Sequence, residues 1–341
     1  MITRTAPLWQ RQLAEGVTSV DELLRLLALP PSVLGASVEA QAAARDFPLR
    51  VPRAFIARMD PGDPNDPLLL QVLPRDREMA VVPGFTGDPL GEVANAPVRP
   101  TPGVLHKYHG RVLLVVTGAC AIHCRYCFRR HFPYDTLRPE RSDWDPAVHY
   151  VAADPTIREV ILSGGDPLAA SDQRLATLVE ALAAIPHLDR LRIHTRLPIV
   201  LPERVDEAFL AWITAPSVAR LQRVVVLHAN HPAEIDDGVR AACRRLRQAG
   251  VTLLNQTVLL AGVNDEAATL AALSDALFAT GVLPYYLHLL DPVAGAAHFA
   301  VTEDRARRLY RDLLARCPGY LVPRLVREVE GAAAKVPYGL L

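Results

Sequence analysis

From residue 111 onward, short apolar runs alternate with helical patterns, and this rhythm restricts the fold more than any other feature. The runs are RVLLVVT (111–117), REVILSGG (158–165), LRIHTRLP (191–198), RVVVLHANHP (223–232), VTLLNQTVLL (251–260) and LPYYLHLLD (283–291). Between them stand SDQRLATLVEALAAIP, ERVDEAFLAWIT, AEIDDGVRAACRRLRQAG and DEAATLAALSDALFATG. Runs rich in leucine and β-branched residues, separated by helical patterns, predict βα units and a parallel sheet. Six such strands make an open sheet or a partial barrel. Sites in parallel α/β folds are built at the C-terminal strand ends. Polar residues gather there: Gly164–Asp166, His194–Arg196, His228–His231, Asn255–Gln256 and His288–Asp291.

The first hundred residues lack this rhythm. TSVDELLRLLALPP opens with a capping box from Ser19 to Glu22 and stops at Pro30 and Pro31, which predicts a short amphipathic helix. Proline-rich connections such as MDPGDPNDPLLLQVLP follow. Residues 1–100 therefore read as a helical, loop-rich cover, 101–300 as the core and 301–341 as a C-terminal segment. The 37 basic residues balance the 37 acidic ones, so nothing suggests the basic footprint of a nucleic-acid binder. No stretch reaches 18 consecutive apolar residues and the N-terminus has no signal-peptide run, so no membrane segment is expected. Five cysteines, three of them clustered, do not form a disulfide framework, and a reducing cytoplasm is the expected location.

The cluster is CAIHCRYCFRR, with Cys120, Cys124 and Cys127 directly after the first strand. Three thiolates on one short loop can converge on one metal centre. Zinc would need a fourth ligand, for which His123 and His131 are at hand. A four-iron cluster held by three cysteines would keep one iron open to a small molecule. Cys243 and Cys317 fit no such pattern and read as inert thiols.

This C-x3-C-x2-C spacing at the end of a first strand resembles the radical S-adenosylmethionine superfamily. LHKYHGRVLLVVT, CRYCFRRHF, SGGDPL, RLPIVLPERV, HANHPAEI, NQTVLLAGVND, PYYLHLLD, GAAHF, GYLVP and GAAAKVP occur in the order found in lysine 2,3-aminomutases. FPLRVP and GDPNDPLLLQVLP extend the likeness, which then covers residues 45 to 338. It is strongest to the bacterial branch that makes (R)-β-lysine for elongation factor P. The resemblance implies an α/β fold, a partial (β/α)6 TIM-like barrel with a helical N-terminal extension and a C-terminal segment that binds pyridoxal 5′-phosphate.

It also implies roles. Cys120, Cys124 and Cys127 would hold a 4Fe–4S cluster. Tyr126, Ser163, Gly164, Gly165, Asp166 and His228 would bind S-adenosylmethionine, with glycine permitting close backbone approach. Lys335 would be the lysine that forms a Schiff base with pyridoxal phosphate. Lys107, Tyr108, Arg111, Gln256 and His288 would hold that cofactor's phosphate and ring. His288 stands where the lysine-fermenting enzymes carry tyrosine. Arg129 would clamp the substrate carboxylate, for which a forked guanidinium is suited. Asp291 and Glu328 would receive the distal ammonium, Glu328 replacing a shorter acid. Arg130 would have a structural part, and Arg125 carries no assignment.

The implied reaction moves the amino group of free lysine from C2 to C3, with an external electron donor. A separate ligase would attach the product to elongation factor P. Neither a nucleic acid nor a membrane is an expected partner, and oligomerisation stays open. The competing readings are an aminomutase of lysine or another amino acid in catabolism or osmolyte synthesis, and a non-catalytic iron–sulfur or zinc protein.

Overall fold

The computed structural model describes residues 6–93, 95, 98–134 and 144–338. Its centre is one sheet whose strands lie in sequence order: β1 Val104–Tyr108, β2 Arg111–Thr117, β3 Glu159–Gly164, β4 Arg190–Thr195, β5 Gln222–His228, β6 Thr252–Val258, β7 Leu283–His288, β8 Arg324–Arg327 and β9 Val336–Pro337. β2 through β8 run parallel. β1 and β9 pair antiparallel at the two edges. Among the described residues no pairing joins those edges, so the barrel is open.

The six expected strands are β2 to β7, and β2 spans the residues read from the sequence. β8 is an additional parallel strand, in a segment whose pattern suits an exposed strand or helix face. Only Leu325 and Val326 are buried between two exposed arginines, which is too short an apolar run to stand out.

N-terminal to the sheet lie α1 Leu8–Ala14, α2 Val20–Leu26, α3 Ser37–Asp46, α4 Arg53–Ile56 and α5 Pro67–Leu70. Trp9, Leu23, Leu27, Phe55 and Leu68 belong to the same buried cluster as Leu114, Leu162 and Ile193 of the strands. Among the described residues this region therefore shares the barrel's core. The Ser19 hydroxyl caps α2 by accepting from the Glu22 N–H at 3.3 Å. The other half of the expected box is missing, because the Glu22 carboxylate pairs with Arg53 instead.

Between the parallel strands run α6 Asp145–Ala153, α7 Asp172–Ala183, α8 Leu197–Val200, α9 Glu207–Ile213, α10 Asp237–Gln248, α11 Ala267–Ala279 and α12 Glu303–Arg316. Their starts are marked by local chemistry: Ser171, Asp206, Asp236 and Thr302 cap α7, α9, α10 and α12 with their side-chain oxygens. The caps and apolar stripes turn the helices against one side of the sheet. The other side, with the C-terminal strand ends, is left to enclose a cavity. Among the described residues no helix is long and apolar enough to cross a membrane.

Candidate active site

Every residue to which the resemblance gives a cluster, cofactor or substrate role lines one cavity of about 790 Å³ inside the barrel. At one end the chain leaves β2 and turns into the cysteine loop. The Cys120, Cys124 and Cys127 side chains are partly exposed to the cavity. The loop is clipped to the end of β3, where Gly165 N–H donates to Thr117 O at 2.7 Å and Asp166 N–H to Ala119 O at 2.8 Å. A Cβ on Gly164, which has φ +121°, would meet Thr117 O at 2.5 Å, and one on Gly165 would meet Ala119 O at 2.4 Å. The glycine pair is thus demanded by backbone packing against the cysteine loop. The Asp166 carboxylate accepts from Leu168 N, Thr195 Oγ1, Arg196 N and Leu197 N, at 2.7–3.0 Å. It braces the ends of β3 and β4 against each other.

The three arginines of the loop divide by direction. Arg125 is fully buried, donates to Ala43 O and Phe47 O, and pairs with Glu78. Arg130 joins it on Glu78, reaches Asp46, and shares the face of Phe47. Both fasten the end of α3 to the cysteine loop. Arg129 points the other way, into the cavity. It makes two bonds to Glu92, from Nε at 2.6 Å and Nη2 at 3.0 Å. Below the loop, Arg196 donates to Cys124 Sγ at 2.7 Å, Tyr126 Oη at 2.6 Å, Gln71 Oε1 at 2.7 Å and Glu234 Oε2 at 3.0 Å. The Tyr126 hydroxyl also meets His228 Nε2 at 2.9 Å, and the two rings stack.

The opposite end is built from β1, β8 and the stretch before β9. Lys335 donates to Glu328, which also accepts from the Tyr108 hydroxyl at 2.9 Å and lies 3.5 Å from Lys107 Nζ. Lys107 pairs with Glu92 at 3.0 Å. The Arg111 guanidinium covers the Tyr108 ring at 4.6 Å, and the Lys335 ammonium lies 5.9 Å from the Tyr286 ring centre. His288 sits beside Tyr286 at the end of β7.

Burial and charge set the protonation states. Burial pushes Cys127 up to about 11 and Cys120 well above its ordinary value, with neighbouring thiols adding to both. Metal binding opposes this, because ligands bind deprotonated. Burial, helped by Arg196, lowers His228 to about 3. Burial and Lys335 keep His288 neutral. Burial, reinforced by Glu328, raises Asp291 to about 7. Burial alone would raise Glu328 as well, but Lys335 and Lys107 outweigh it and bring it down to about 2.

The donor sets fit the groups that the resemblance implies. Three thiols open on the cavity from one loop, and a buried guanidinium donates to one sulfur, as suits a sulfur carrying negative charge. A primary amine stands in the same cavity with cations suited to a phosphate. The imidazoles considered as a fourth zinc ligand are directed to backbone carbonyls, His123 Nδ1 to Pro48 O at 2.7 Å and His131 Nε2 to Ala294 O at 3.2 Å. Among the described residues no group of three or more His, Cys, Asp or Glu side chains is arranged to hold a single ion.

Some site residues carried no signal of their own. Glu92 and Gln71 arrive from the N-terminal region, Glu234 from the loop after β5. His194, which belongs to one of the strand-end polar groups read from the sequence but had no role there, lines the cavity at the end of β4, its Nε2 buried without a hydrogen-bond partner among the described residues. Lys335 had a signal in the composition. Of the 37 Lys and Arg residues only Lys107 and Lys335 are lysine. Where arginine supplies nearly every positive charge, a retained lysine points to a task that needs an amine.

Open parallel barrel, three-cysteine loop and braced glycine turn define a radical S-adenosylmethionine enzyme. Residues 114–273, from within β2 to within α11, match the Radical SAM superfamily. The chain is 52% identical to the L-lysine 2,3-aminomutase of Escherichia coli (strain K12), over 97% of this chain and 94% of that one. It is 48% identical to the L-lysine 2,3-aminomutase of Haemophilus influenzae, over 97% and 95%. It is 33% identical to that of Clostridium subterminale, over 96% and 77%. The chain belongs to the L-lysine 2,3-aminomutase family, isomerases whose cofactors are a 4Fe–4S cluster, S-adenosylmethionine and pyridoxal 5′-phosphate.

Proposed function

We propose that this chain converts free L-lysine to β-lysine, the (R) isomer, which a separate ligase attaches to elongation factor P. The observation that carries the reading is the shared cavity, with three thiols at one end and Lys335 at the other. Bound there, the cluster and S-adenosylmethionine supply a hydrogen-abstracting radical after one-electron reduction by an external donor, and pyridoxal phosphate supplies the carbonyl that activates the amine.

The chain's own part is holding and orienting. Cys120, Cys124 and Cys127 hold the cluster. Tyr126, Ser163, Gly164, Gly165, Asp166 and His228 form the wall for S-adenosylmethionine. Lys335 binds the pyridoxal carbonyl, and Lys107, Tyr108, Arg111, Gln256 and His288 surround the rest of that cofactor. Arg129 takes the lysine carboxylate. Asp291 and Glu328, both lining the same cavity, take the distal ammonium, to which they are opposite in charge. Two fixed points, one at each end of a flexible substrate, orient C3 and lower the entropic part of the barrier.

Anaerobic reconstitution with iron, sulfide and pyridoxal phosphate tests this directly. Lysine and S-adenosylmethionine are then added under reduction, and the product is resolved on a chiral column. (R)-β-Lysine is the expected product. The (S) isomer would remove the elongation factor P assignment, and no β-lysine from fully loaded protein would remove the reading itself.

A further inference from the structure

Residues 86–93 carry no motif, yet Glu92 stands between the two ends of the cavity. Asp88 turns this loop by accepting from Glu92 N at 2.8 Å and Val93 N at 2.9 Å. Thr86 pins it next to Asp291, with Thr86 N donating to Pro292 O and Ala294 N to Thr86 O. Glu92 is 5% exposed. Burial works against its charge, but Arg129 and Lys107 outweigh that and keep the carboxyl below its usual range.

Its contacts occupy one side of Arg129 only. The Nε–Nη2 edge is closed by the two bonds to Glu92. On the other edge, among the described residues, Nη1 reaches Ser163 Oγ at 3.3 Å and Gly164 O at 3.5 Å, both long for hydrogen bonds. A guanidinium has donors enough for a second carboxylate there. The same Glu92 oxygen that accepts from Nη2 also pairs with Lys107.

We propose that Glu92 is a positioning residue for the substrate carboxylate. It locks Arg129 from the side, so that the Nη edge alone faces an incoming α-carboxylate, and through Lys107 it ties that clamp to the cofactor end of the cavity. This rests on the reading of Arg129 given above. Without the Glu92 charge the guanidinium loses its fixed edge, and recognition of the carboxylate weakens while recognition of the distal amine does not.

The test uses holoenzyme loaded with cluster and pyridoxal phosphate, without S-adenosylmethionine, so nothing turns over. L-Lysine and L-lysinamide, which lacks the carboxylate, are titrated while cofactor absorbance is followed. The unaltered protein should prefer lysine at least tenfold. In Glu92→Gln the preference should fall below about threefold, with lysinamide affinity changed less than about threefold. Should that variant not retain iron and cofactor, Glu92→Asp serves. It keeps the charge but is one methylene short, and its preference should fall at least threefold. An unchanged preference overturns the inference, as does tighter lysine binding in Glu92→Gln, which would make Glu92 a competitor. Arg129→Gln separates the two layers. If it keeps the preference, the reading of Arg129 fails and the inference with it. If it loses the preference while the Glu92 variants keep it, only the inference fails.

Discussion

The two ends of the cavity are held by different means. At the cysteine end, buried ion pairs fix almost every piece: Arg125 and Arg130 on Glu78, Arg129 on Glu92, Arg196 on Glu234. Backbone clips join the loop to β3. At the Lys335 end, support is thin. β9 has two residues, joined to β8 by a short antiparallel pairing, and the lysine rests on one carboxylate. On the proposed roles, a radical source has to be placed to within a fraction of an ångström, and a lysine that exchanges its bond with substrate has to move. The denser bonding lies at the end where displacement would be harmful.

Breaking either end should show this contrast. The largest effect is expected from Cys124→Ala, which removes a proposed cluster ligand and one of the four partners of Arg196. Iron content should collapse and β-lysine formation fall by more than about a thousandfold. Iron bound at the unaltered level would contradict the assignment of that thiol. Next in size is Glu78→Ala, which leaves Arg125 and Arg130 buried without their acid. Such a loss costs about 3–5 kcal/mol, so in a chain of 341 residues the melting temperature should drop by roughly 4–7 °C. Lys335→Ala should abolish activity while moving the melting temperature little, because Lys335 is only partly buried and its one pair is replaceable. Equal melting losses in these two variants would erase the distinction between the ends.

A smaller, pH-dependent effect belongs to Asp291. Its carboxyl titrates near 7, raised by burial and then by Glu328. The ionised form, which dominates above that pH, is the one that can pair with an ammonium. Lysine KM should therefore fall as pH rises from 6 to 8, and Asp291→Asn should flatten that dependence. The smallest change is expected at the exposed Arg53–Glu22 pair, where Glu22→Ala should cost less than about 1 kcal/mol in urea unfolding.

Much of the barrel was legible because buried parallel strands need continuous apolar runs, and those runs survive as pattern. β2 is such a run, buried along its second half. β8 and β9 were not legible, since each is formed by pairing with a neighbour rather than by its own apolar content. The cysteine spacing pointed to one end of the cavity because shared ligation of one metal centre would impose such a spacing on the chain. Arg125 carried no assignment and Arg130 only an unspecified structural part, because their partners, Glu78 and the Asp46, Ala43 and Phe47 groups at the end of α3, lie far away in sequence. Glu92 meets Arg129 across 37 residues, and no local pattern encodes that meeting. Lys335 was weak as a motif and strong as a count.

That count makes the most direct measurement decisive. The reconstituted protein is reduced with borohydride in the presence of pyridoxal phosphate, digested, and the modified peptide identified by mass spectrometry. With only Lys107 and Lys335 in the chain, the account predicts an adduct on Lys335 alone, and its loss when excess L-lysine is present before reduction. An adduct on Lys107, or none on protein whose cluster is fully assembled, would contradict a single cavity that joins the iron–sulfur loop to a pyridoxal-binding lysine.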